Sequence, residues 1–181
     1  LWGATQAAEL GLRVTCLVFA TTMFIVYLFS TLSHAIQDPL ARHKLRSWDQ
    51  GCIFLLIAGT YSPFVWEGST GILRIGLMSA VWLAAAAGFW MKVISTHQIT
   101  GVSSVHYLLL GWLPALPLIP NTPAVCLQWM LIGGVSYTFG LIFWAISDRL
   151  LFSHAVWHLM VMLGTASHFY AITQLVSLAA G

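Results

Sequence analysis

The placement of its charges constrains this chain more than anything else. No Asp, Glu, Lys or Arg occurs in Val14–Gln37, Gln50–Trp66, Ile75–Met91, Val93–Ser147 or Leu150–Gly181. A soluble domain carries about 25% charged residues, whereas 7% of these 181 are charged and 59% are hydrophobic. One bilayer crossing needs about 20 apolar residues, so these runs read as membrane spans. Lipid leaves no hydrogen-bond partner for an open strand edge, and the alternation of outer-membrane strands is missing, so the spans are helical. Soluble enzymes, secreted disulfide domains and disordered tails are excluded. Cys16, Cys52 and Cys126 are too far apart for a disulfide framework or a CxxC metal site. A net charge of +2, scattered along the chain, does not suit a nucleic-acid partner.

The run from Val93 to Ser147 is too long for one crossing. The polar stretch Ser95–Ser104 and the prolines Pro114, Pro117, Pro120 and Pro123 divide it. Six spans are therefore expected: Val14–Gln37, Gln50–Trp66, Ile75–Met91, and others near Val105–Leu118, Ala124–Ile146 and His154–Leu178. Together they make one polytopic all-α bundle domain over residues 1–181. The chain starts at Leu1, its first methionine is Met23, and Leu1–Leu12 lacks the basic start of a signal peptide. It reads as missing its natural beginning. Arg42, Lys44, Arg46, Lys92 and Arg149 fall on one side of the spans, and Arg13 and Arg74 on the other. The asymmetry puts loops one, three and five in the cytoplasm and the C-terminus outside.

Of seven histidines, His34 ends the first span, and His154 and His158 open the last, all at cytoplasmic depth in that topology. Residues four apart share a helix face at about 5–6 Å between Cβ atoms, so His154 and His158 have the spacing of an imidazole metal pair. Histidines at helix ends also serve simply as polar groups facing water, and HxxxH alone does not decide between the two. Ser30 lies one turn from His34; a membrane serine commonly bonds back to its own helix. The cytoplasmic carboxylates are Asp38, Asp49 and Asp148, among which spacing does not choose, and Asp49 is explicable as a helix N-cap. His168 lies about 15 Å beyond His158 along the helix and is expected to hydrogen-bond within the bundle. His43 and His97 read as solvated, and His106 has only its interface position. Gly133, Gly134, Gly140 and Gly164 read as points of close helix approach.

Ser30 to His34 (STLSH), Asp49 leading into GCIFLLIAGTYSPF, and HAVWHLMVMLGTASHF from His154 resemble the hemolysin III and progestin/adiponectin receptor family over nearly the whole chain. The resemblance implies seven helices, the first of them not present here, and a zinc ion near the cytoplasmic face. It implies His34, His154 and His158 as the ligands, with Asp49 holding or deprotonating a water at the metal and Ser30 beside it. Ser33 departs from the aromatic residue often found before the first histidine, and Cys52 lies one turn beyond Asp49 as a possible competitor for the metal.

Two functions of different class follow. One is a ceramidase-like, zinc-dependent hydrolase of lipid amides or esters in a bacterial inner membrane, with Asp49 and Ser30 as catalytic residues and membrane lipids as partners. The other is a lipid-sensing or receptor-like protein with a structural zinc, or a membrane-perturbing hemolysin. Replacing Asp49 by Asn separates them, since only an enzyme needs the carboxylate.

Overall fold

Three residues, Ile36–Asp38, turn the first helix into the second. The computed structural model describes residues 2–95 and 104–180, and every regular element among them is helical. Helix α1 is Trp2–Ala35, α2 Pro39–Gly68, α3 Gly71–Val93, α4 Ser104–Trp112, α5 Ala124–Ala145 and α6 Ser153–Ala180, with a 3-10 helix at Leu113–Asn121. Four of them, α1 (over Glu9–Ala35), α3, α5 and α6, are long and apolar enough to cross a membrane.

The uncharged runs locate these four, while α2 corrects the sequence reading. It starts at Pro39, not near Asp49, because Asp38 caps it: the carboxylate accepts from Ala41 N at 2.8 Å, with Pro39 in the first turn. Arg42, Lys44 and Arg46 thus lie on the helix itself, and Asp49 is an interior residue rather than an N-cap. Thirty residues at 1.5 Å each make α2 a rod of about 45 Å. Near Val105–Leu118, α-helix runs only to Trp112. Pro114, Pro117 and Pro120 then remove a donor every third residue, and the chain tightens into 3-10 turns. The polar stretch expected at Ser95–Ser104 falls almost wholly at 96–103, outside the described residues, and His97 with it.

Contacts group the chain into two compact units, Leu1–Leu118 and Ile119–Gly181. In the first, α2 is the hub, packing on α1, α3 and α4. Gly59 of α2 faces Thr22 of α1, and Gly11 of α1 faces Trp66 of α2, so these two helices run antiparallel. A Cβ at Gly88 of α3 would stand 2.6 Å from the Phe54 ring, and Phe54 stacks on Tyr107 of α4 at 4.4 Å between centroids. Phe54, Phe64 and Val65 form the fully covered core of α2.

The second unit is an antiparallel hairpin of α5 and α6 packed through glycines. A Cβ on Gly133 would lie 2.7 Å from His168 Nε2, one on Gly140 2.9 Å from Trp157 Cε3, and one on Gly164 2.8 Å from Tyr137 Cε1. These are the close approaches that the sequence suggests.

Candidate metal centre

The expected site residues divide between the two units: Ser30, His34 and Asp49 lie in the first, His154 and His158 in the second. In the first, the last turn of α1 meets the third turn of α2. His34 Nδ1 lies 2.8 Å from the backbone oxygen of Ser30, one turn back. An imidazole whose Nδ1–H donates to a carbonyl presents its lone pair at Nε2, the tautomer that binds a metal. The Asp49 carboxylate has the Ser30 and Ser33 hydroxyls within hydrogen-bonding reach and His34 beside it. Asp49 precedes the uncharged run, and burial pushes its carboxyl up to about 6 against the opposing pull of His34 and the two serines.

Of the three carboxylates left open by spacing, Asp49 alone has this setting. Asp38 is the cap of α2, and Asp148 lies in the turn between α5 and α6.

Ser33 is the residue that sequence reasoning missed. Noted only as a departure from an aromatic position, it is 1% exposed. Its Oγ donates to Ser30 O at 2.9 Å and lies 3.1 Å from His34 Nδ1. The available signal was its spacing from Ser30, three residues along one helix face. Arg42 Nε reaches the Ser33 carbonyl at 3.4 Å, tying the two helices at the same level.

Around Asp49 the adjacent residue, Gln50, gathers two more helices. Lys92 Nζ of α3 donates to Gln50 Oε1 at 3.1 Å, and Tyr107 OH of α4 donates to the Gln50 carbonyl at 3.0 Å. Lys92, read in sequence as the cation that precedes the third loop, does stand in the last turn of α3, but it is only 6% exposed. Its stem is long enough to lie against the bundle, so a charge at the end of an uncharged run need not face water. Cys52 is fully buried beside these residues in sequence.

In the second unit, Phe152 takes a left-handed turn (φ 68°) and Ser153 opens α6, which presents His154 and His158 on successive turns. Their Nε2 atoms stand 3.1 Å apart with the rings at 88°. Deeper in the hairpin, His168 corrects an expectation. Among the described residues, no hydrogen-bond partner reaches its buried Nδ1. Packing fixes the ring instead: it lies flat on Tyr137, with centroids 5.6 Å apart and planes at 21°, over the space that Gly133 leaves. His43 and His106 are exposed.

A family profile described as haemolysin-III related matches residues 2–169. The chain belongs to the haemolysin-III-related family. Among its relatives, Hemolysin-3 of Bacillus cereus is 35% identical over 158 residues, covering 86% of this chain and 72% of the relative. A Hemolysin-3 homolog of Bacillus subtilis is 33% identical over 162 residues, with 88% and 76% covered. The human monocyte to macrophage differentiation factor is 27% identical over 165 residues, with 88% and 69% covered. No solved structure matches. Family and membrane-length helices together make this haemolysin III member an integral membrane protein, similar also to the adiponectin-receptor type.

Proposed function

We propose that this haemolysin III member holds one zinc ion through His34, His154 and His158 and hydrolyses an amide or ester bond of a membrane lipid. The observation that carries the reading is the paired imidazoles of α6. Two nitrogens at about 2.05 Å from a tetrahedral zinc lie about 3.3 Å apart, close to the 3.1 Å between His154 and His158 Nε2. His34, its Nδ1 engaged by Ser30, supplies the third nitrogen. Three protein ligands with one open position are the composition of a catalytic site rather than a closed structural one.

Bound there, zinc supplies Lewis acidity toward an acyl carbonyl and lowers the pKa of water toward 7. The remaining work falls to the chain. Asp49 accepts the proton of the attacking water and returns it to the leaving amine or alkoxide. Ser30 and Ser33 aim its carboxylate and keep it from rotating away. The lipid reaches the centre from the bilayer, because a long acyl chain has no polar route to follow. Arg42, Lys44, Arg46 and Arg149 favour a cytoplasmic face for this end of the helices, in a bacterial inner membrane, with the C-terminus outside. Cysteine labelling that found residues 96–103 outside and 120–123 inside would overturn that orientation.

The test uses purified protein, metal analysis and ceramides with related lipids as substrates. One zinc per chain is expected in wild type, falling steeply in His34→Ala and His158→Ala. Asp49→Asn should keep zinc and lose about 10²- to 10⁴-fold in turnover. Full zinc in a variant lacking all three histidines would sink the metal centre. Zinc retained with no hydrolysis of any lipid class would make it a clamp in a lipid sensor.

A further inference from the structure

At the end of the first unit remote from Asp49, α1, α2 and α3 part to leave a groove of about 500 Å³, open on one side. Ligand sites commonly have about 300–1,000 Å³. Val14 and Val18 of α1, Trp66 of α2, and Met78 and Trp82 of α3 form its walls. The two hydroxyls in the lining are already engaged. Thr15 donates to Leu12 O at 2.8 Å; Ser62 donates to Ala58 O at 2.9 Å and accepts from Trp82 Nε1 at 3.1 Å. Nothing along the walls calls for a polar ligand, so an alkyl chain fits there.

Arg74 is not one of the wall residues but lies against one of them: its guanidinium carbon is 4.4 Å from the centroid of the Trp66 ring, and its Nε donates to Ser69 O at 2.8 Å. Arg74, Met78 and Trp82 follow at four-residue intervals on one face of α3, spanning about 12 Å along the helix axis. That face reads as headgroup first, chain below. A guanidinium held over an indole, with one nitrogen anchored to backbone, is preorganised for a phosphate. Arg13, the other cation near this end in α1, is paired with Glu9 at 3.7 Å and highly exposed.

We infer that this groove is a binding site for one bilayer phospholipid, with an acyl chain between Val14 and Trp82 and its phosphate on Arg74. The site is independent of the zinc centre and needs none of its residues.

The experiment is native mass spectrometry of the full chain in detergent. It is titrated with palmitoyl-oleoyl phosphatidylglycerol, or with a diacylglycerol bearing the same chains. One phospholipid should stay bound to wild type. Arg74→Gln should bind it at least ten-fold more weakly, as should Val14→Trp, which fills the groove. The diacylglycerol should bind as weakly as phospholipid does to Arg74→Gln. Zinc content and helical circular dichroism, unchanged in both variants, separate loss of the lipid site from loss of the fold. If Val14→Trp fails to fold, Val18→Phe takes its place. Equal retention by wild type and both variants would mean boundary lipid only, and diacylglycerol bound as well as phospholipid would remove Arg74 from the site.

Discussion

The two units differ in what they add to close helix packing at glycines. Around α2, polar groups reach across: Asp49 to Ser30 and Ser33, Gln50 to Lys92 and Tyr107, Ser62 to Trp82, and Tyr61 OH to the Gly111 carbonyl. In the α5–α6 hairpin most hydroxyls turn back on their own helix. Ser136 donates to Ile132 O, Thr138 to Gly134 O and Ser167 to Leu163 O, while the Tyr137–Thr165 pair, at 2.7 Å, crosses. There the helices meet backbone to side chain at Gly133, Gly140 and Gly164. Glycines bring helices together in both units, as Gly11, Gly59 and Gly88 do in the first, but the first adds several hydrogen bonds from helix to helix. The lesson concerns chemistry. In the proposed hydrolysis Asp49 needs a fixed orientation, which hydrogen bonds give, whereas His154 and His158 are held by being one turn apart on one helix.

The sharpest way to break this contrast is overpacking. Gly164→Leu would place its Cβ 2.8 Å from Tyr137 and drive the hairpin apart. A loss of about 1–3 kcal/mol is expected, read as a lowered unfolding midpoint in detergent. A neutral result would show that glycines do not set the α5–α6 distance. Next in size is Asp38→Ala, which removes the cap of α2 and should cost about 1 kcal/mol; equal thermal stability would mean that Pro39 suffices to start the helix. The smallest effect is Tyr107→Phe, which deletes one hydroxyl from Gln50. A buried membrane hydrogen bond averages about 0.6 kcal/mol, so thermal melts should move little. The lipid hydrolysis proposed for Asp49 should fall more than stability does, because the next residue in the chain loses an anchor. Stability and turnover falling in step would count against a role for Gln50 in orienting Asp49.

Much of this was legible in the sequence, for physical reasons that also explain the misses. Charge-free runs found α1, α3, α5 and α6 because lipid tolerates little else over that length. The same rule failed for α2. A helix does not stop where charges begin, and the readable start signal was the Asp38–Pro39 pair rather than the end of the cationic stretch. The position of Lys92 at the end of α3 was legible but its burial was not: a long side chain can carry its charge into a bundle when an amide such as Gln50 waits there. Spacing paired His154 with His158, since an i,i+4 relation is local. It did not choose Asp49 over Asp38 and Asp148, because that choice depends on which face of α2 meets Ser30 and Ser33. No helical periodicity encodes that meeting. That no hydrogen-bond partner among the described residues reaches Nδ1 of His168 was equally hidden, because stacking on Tyr137 sets the ring.

The separation into Leu1–Leu118 and Ile119–Gly181 has a consequence for how the protein is made. Each unit's contacts are local in the chain, so the first can assemble around α2 while the second is still inside the ribosome. At about 5–20 residues per second, the hairpin emerges on the order of ten seconds or less behind it. His34 and Asp49 are then in place before His154 and His158 exist. An ion held by all three histidines, as proposed above, would therefore be gained only after His158 has been made, when the first unit is already assembled.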